Sequence, residues 1–68
     1  MIPVVCLEDG KTYYFTARTP YEAIAAMLYY LNISRKDPSA IINKTNGGMH
    51  LWIEHCGKTY SVYNRRKN

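Results

Sequence analysis

Residues 19–32 constrain the fold more than any other part of the chain, because they alone carry the helical period. Thr19 offers a side-chain oxygen to the first free amides, Pro20 suits the first helical position, and Glu22 stands where a capping box needs an acid. Ala23, Ile24, Met27, Leu28, Tyr30 and Leu31 then recur at the spacing that stacks side chains on one helix face. The remainder reads as strand or turn. A lone amphipathic helix cannot bury its stripe against itself, so it has to lie on a sheet contributed by both halves of the sequence. The expectation is an α+β fold in the order ββαβββ, an antiparallel sheet of about five strands with one helix packed on one face.

The first two strands are expected at residues 2–7 and 12–17, joined by a two-residue turn at Asp9-Gly10 in which both residues take positive φ and Glu8 faces Lys11. Alternation then places Ile2, Val4, Cys6, Tyr13, Phe15 and Ala17 on the core face, and Val5, Leu7, Thr12, Tyr14 and Thr16 on the other. Pro3 donates no amide, which costs little near the start of a strand. After the helix, Asn32 suits the left-handed residue that ends it. Residues 38–45 admit two readings, a short helix capped by Asp37 or a strand; Ile41, Ile42 and Thr45 favour the strand, with Asn46-Gly47 as a hairpin turn. Residues 49–55 alternate, Cys56-Gly57 turns the chain, and residues 58–64 return. That pattern sends Ile42, Leu51, Ile53, Tyr60 and Val62 to the core, and His50, Trp52, Glu54, Thr59, Ser61 and Tyr63 outward. A central first strand, beside either the third or the fifth, satisfies the topology.

The 68 residues suffice for one domain, taken as residues 1–64, followed by a basic flexible tail at 65–68. Hydrophobic residues make up 47% and charged ones 21%, values that argue against a disordered chain. The formal charge of +4 owes much to Arg65, Arg66 and Lys67, so it is a weak pointer to nucleic acid. Strand-like residues follow Met1 directly, with neither a charged nor an apolar leader segment, so no signal peptide is expected. Cys6 and Cys56 form no Cys-x-x-Cys pair. A reducing, cytoplasmic setting follows most simply, with both thiols free and Cys6 buried. No apolar run approaches the roughly 18 residues of a membrane span, so no membrane partner is expected.

The sequence echoes itself: Leu7-Glu8-Asp9-Gly10-Lys11-Thr12-Tyr13 resembles Ile53-Glu54-His55-Cys56-Gly57-Lys58-Thr59-Tyr60. Duplication would produce this, and so would two hairpins converging on the same turn chemistry. The repeated Gly-Lys-Thr has the ending of a phosphate-binding loop, but Val5 and Trp52 stand where the earlier glycine belongs, and a strand follows each copy instead of a helix. His50, His55 and Cys56 are the only cluster of metal-ligand or nucleophile type. Alternation sends the two histidines to opposite faces, and exposed turn positions account for all three. The acids are scattered among turns, the helix cap and a strand, with no pair placed for proton transfer. The chain is therefore expected to be non-enzymatic and to hold no cofactor or metal.

The informative anomaly is the sheet face away from the helix, where Val5, Leu7, Tyr14, His50, Trp52 and Tyr63 gather with few charges. One helix cannot cover both faces, and such a patch marks a contact surface. The expected function is a small interaction module that binds a protein partner, or self-associates as a homo-oligomer, through this face. The alternative is a single-stranded nucleic-acid binder that stacks bases on the same aromatics, with Lys11, Lys58, Arg65, Arg66 and Lys67 on the phosphates. The protein contact is preferred because the cations lie at a tail and at turns, not among the aromatics. Size and chemistry suit an accessory protein of a bacterial, phage or mobile-element system.

Overall fold

A computed structural model describes residues 1–63. Strands β1 (Ile2–Cys6), β2 (Thr12–Phe15), β3 (Asn43–Lys44), β4 (His50–His55) and β5 (Lys58–Tyr63) form one antiparallel sheet, with the helix α1 (Pro20–Tyr30) between β2 and β3 in the chain. The spatial order is β2-β1-β5-β4-β3. The fold is thus α+β, with β1 interior and beside the fifth strand. The middle position belongs to β5.

The helix begins as its cap residues dictate. Thr19 is extended, its Oγ1 accepts from the Glu22 amide at 3.1 Å, and Glu22 Oε1 accepts from the Arg18 amide at 2.9 Å. At the other end Asn32 takes φ 61°, and the amides of Asn32 and Ile33 donate to the carbonyls of Tyr29 and Leu28. This is a Schellman closure with asparagine in the left-handed position, and Leu28 and Ile33 are both buried in the core beside it. Between the caps, Ala23, Ile24, Met27 and Leu28 face the sheet and are buried. They pack on Val4, Cys6, Leu51, Ile53, Tyr60 and Val62, all on one sheet face. Tyr30, expected in the apolar stripe, is 63% exposed and instead lays its ring against Tyr13 and Phe15.

Two turns differ from expectation without changing either face. Val5 pairs with Thr12 and Val4 with Tyr13, so β1 and β2 are joined by a four-residue loop, residues 7–10, in which only Gly10 has positive φ. Glu8 does not face Lys11. Asp9 Oδ1 accepts from the Lys11 amide at 2.9 Å and the Gly10 amide donates to Cys6, closing the wider loop. The register has slipped by two residues, and because side chains alternate with period two, every residue keeps its face. The turn at Asn46-Gly47 is likewise wider: Thr45 pairs with His50 around a 3₁₀ turn at Asn46–Gly48. The long strand read over residues 38–45 is reduced to β3, because Asp37 caps a 3₁₀ turn at Pro38–Ala40 with its carboxylate on the Ser39 amide. Cys56 and Gly57, at φ 51° and 76°, do make the two-residue turn expected between β4 and β5.

Candidate functional site

The uncovered face is ordered in rows across the strands. Thr12, Val5, Ser61, Trp52 and Asn43 are successive cross-strand partners from one edge of the sheet to the other. In the adjacent row Tyr14 pairs with Pro3 and Tyr63 with His50, and the β1–β5 register carried on by two residues sets Pro3 beside Tyr63. Strand spacing brings neighbours in a row within side-chain contact.

The densest part lies on β4 and β5. The His50 ring stacks on Tyr63 with centroids 4.4 Å apart at 10°, and on Trp52 at 4.8 Å and 29°. His50 Nε2 also hydrogen-bonds the Ser61 hydroxyl, which is buried beneath the rings. The imidazole is thus held on both faces and along one edge, a rigid wall of three rings. Asn43 Nδ2 donates to the Trp52 carbonyl at 3.3 Å and ties β3 to the same strand. A shallow hollow of about 320 Å³ opens beside it, lined by Pro38, Ser39, Ile41, Asn43 and Glu54.

Five of the six residues expected on this face stand on its strands, though not in one cluster, and the sixth, Leu7, does not. His50, Trp52 and Tyr63 form the stack; Val5 is reached through Ser61; Tyr14 stands on the edge strand, 63% exposed; Leu7 lies outside β1 in the turn, also exposed. His50 is corrected: it is a half-buried strand residue, not an exposed turn residue, because its ring is taken into the stack. His55 is corrected as well: it ends β4 half-buried, with Nδ1 enclosed and unpartnered and Nε2 3.4 Å from the exposed Cys56 thiol. The two histidines do point to opposite faces. Ser61 was legible as an outward residue, but its bond to His50 was not, since only the His50–Tyr63 register brings the hydroxyl within reach. The serine–histidine pair presents no nucleophile, because Ser61 is 1% exposed.

The two described candidate cations, Lys58 and Lys11, sit at one end of the sheet, beside the β1–β2 and β4–β5 turns. Lys58 pairs with Asp9 at 3.4 Å, which raises the lysine's pKa, and Lys11 is exposed in the neighbouring turn. The Asp9 carboxyl is held below its ordinary range chiefly by the Lys11 amide. Glu8 joins the two hairpins: its carboxylate accepts from the Thr59 amide at 2.6 Å and from the Thr59 hydroxyl at 3.1 Å, and the amide bond lowers its pKa most. Leu7 N–H meanwhile donates to the Thr59 carbonyl. The carboxylate therefore takes the ladder bond that the next backbone carbonyl of β1 would have accepted. Arg65, Arg66 and Lys67 lie outside the described residues, as does the tail reading. Among the described residues no group of three metal-ligating side chains converges, and no helix is long and apolar enough to cross a membrane.

No protein-family model matches the sequence, and neither a curated protein nor a solved structure matches the chain.

Proposed function

We propose that this chain is a non-enzymatic interaction module whose uncovered sheet face docks against a protein surface, either another protein or a second copy. The observation that carries the reading is the His50–Trp52–Tyr63 stack: three rings pre-ordered on an open face, flanked by Val5 and Tyr14, with Glu54 the one charge among the strand residues of that face. Rigid aromatic anchors lose little entropy on docking, and charge-poor centres are typical of protein contacts. A base-stacking platform would want cations between the rings, and the described lysines of this region stand at the turns.

Trp52 is the single tryptophan of the chain, so its fluorescence reports on this face directly. Burial by a second copy shifts its emission to shorter wavelength as protein concentration rises, and Trp52→Glu, which keeps the fold, prevents association through this face. If emission ignores concentration but responds to oligothymidylate with strong salt dependence, the protein-contact reading falls and the nucleic-acid alternative replaces it. When neither moves the signal, a partner protein is sought by comparing wild type with Trp52→Glu as baits. Equal capture by both would sink the proposal.

A further inference from the structure

The two edges of the sheet are treated unequally. On one side β3 is two residues long, carries Lys44, and is bounded by 3₁₀ turns, which are the devices that keep a sheet edge from pairing with another chain. On the other side β2 has none of them. From Thr12 to Ala17 the sequence holds no charge, no proline and no glycine, and the β1–β2 register runs without a bulge.

The hydrogen-bond phase of β2 is fixed by its partner. Cys6 N–H donates to Lys11 O, so the alternation of an antiparallel ladder turns Tyr13 and Phe15 toward β1 and leaves the amides and carbonyls of Thr12 and Tyr14 aimed outward. The helix lies mainly over β1, β5 and β4, so it does not screen this edge. Tyr30 reaches across from it only to stack on Tyr13 and Phe15, at centroid distances of 5.6 and 6.2 Å. All three rings remain partly open, and Tyr14 is 63% exposed on the other side.

The sequence of this edge is self-complementary. Thr12-Tyr13-Tyr14-Phe15-Thr16 reads as hydroxyl, ring, ring, ring, hydroxyl in both directions about Tyr14. We infer that two copies of the chain pair β2 to β2, antiparallel, about a twofold axis through Tyr14, making one continuous sheet of both molecules. In that register Tyr14 meets Tyr14 of the second copy and Thr12 meets Thr16, all with outward amides, so the ladder bonds form. Tyr13 meets Phe15 across the junction on the helix side, beside Tyr30 from each copy. A slip of one residue sets outward amides against inward ones and forms no ladder, so the alternation itself excludes it. The surface is distinct from the aromatic stack on β4 and β5, and this pairing leaves Trp52 fluorescence unmoved.

The test is sedimentation equilibrium of the full chain from low to high micromolar concentration. Wild type approaches twice the chain mass, and Tyr14→Lys, which sets like charges directly opposite each other, weakens the dimer about tenfold or more. Because Tyr14 is largely exposed, the variant retains its circular dichroism, and its denaturant midpoint equals that of wild type at concentrations where both are monomers. Cross-linking gives a second reading that needs no loss of association. In a Cys56→Ser background, Tyr14→Cys forms an intermolecular disulfide under mild oxidation, since directly paired strand residues lie about 5.5 Å apart at Cα. Thr12→Cys does not, because four positions at about 3.4 Å each put roughly 14 Å along the strands between the two copies. A monomer at every concentration overturns the pairing. So does a dimer that survives Tyr14→Lys and is lost in Trp52→Glu, an outcome that would leave the open-face contact standing alone.

Discussion

The two faces of the sheet are written in the same alternating code, and they end in different states. Facing the helix, Val4, Cys6, Ile53 and Val62 are closed from solvent; one residue away on each strand, Val5, Trp52 and Tyr63 stay partly open, and only Ser61 is fully enclosed. Both faces are apolar enough to be cores. What separates them is the single helix, whose stripe is used up on one side. An apolar residue in a two-layer fold is therefore a core residue or a contact residue according to parity, not hydrophobicity.

Ile53 and Trp52 are neighbours in β4 on opposite faces, and they make the sharpest comparison. Ile53→Ala opens a cavity where nothing was exposed and should cost about 2–5 kcal/mol, a large part of the stability of so small a domain. Trp52→Ala gives up ring stacking worth about 0.5–1.5 kcal/mol and some partial burial. Urea titrations of the two variants should differ in midpoint in that order, and equal losses would mean that the faces do not differ in kind.

The helix can be loosened without touching either face. Thr19→Ala leaves the Glu22 amide without its cap and should cost about 1 kcal/mol, read as a lower midpoint with unchanged slope. An unaffected midpoint would move the start of the helix, and with it the account of which face is covered.

The smallest effect concerns the clasp between the hairpins. Glu8 and Asp9 have lower pKa values in the folded chain than their ordinary 4.5 and 3.8, so their stabilisation is present above those values and is lost as pH falls through the lower, folded ones. Thermal midpoints should drop with acid over that window, and Glu8→Gln should make the drop shallower. An identical acid limb in Glu8→Gln would show that the carboxylate does not join the hairpins in solution.

Much of this was legible in the order of residues. Faces were, because period two survives a register slip of two; the helix was, because Thr19, Glu22 and Asn32 act within one turn of the ends they cap. Turn widths were not. Asp9-Gly10 has the composition of a tight turn, yet the adjoining Glu8 is drawn to Thr59, far along the chain, and no local rule contains that bond. Residues 38–45 misled for the reverse reason: Asp37 acts locally on Ser39 and overrides the strand preference of Ile41 and Ile42. The five aromatic and aliphatic members of the open face could be assigned by alternation. Their grouping could not, since it depends on the β4–β5 register that sets His50 against Tyr63 and Ser61 within its reach.

The strand order bears on how the chain is born. β5 occupies the middle of the sheet, and β1 pairs on one side with β2 and on the other with β5. A ribosome delivers β1, β2 and α1 first, and until Tyr63 has emerged from the exit tunnel the helix has only a two-stranded ribbon to lie on. Closing the sheet joins segments separated by most of the chain, a topology that folds slowly because its loop entropy is paid before its contacts form. Throughout that interval the bare edge of β2 and both sets of aromatic side chains stay uncovered. Folding of this small domain thus waits on β5, the strand that enters between β1 and β4.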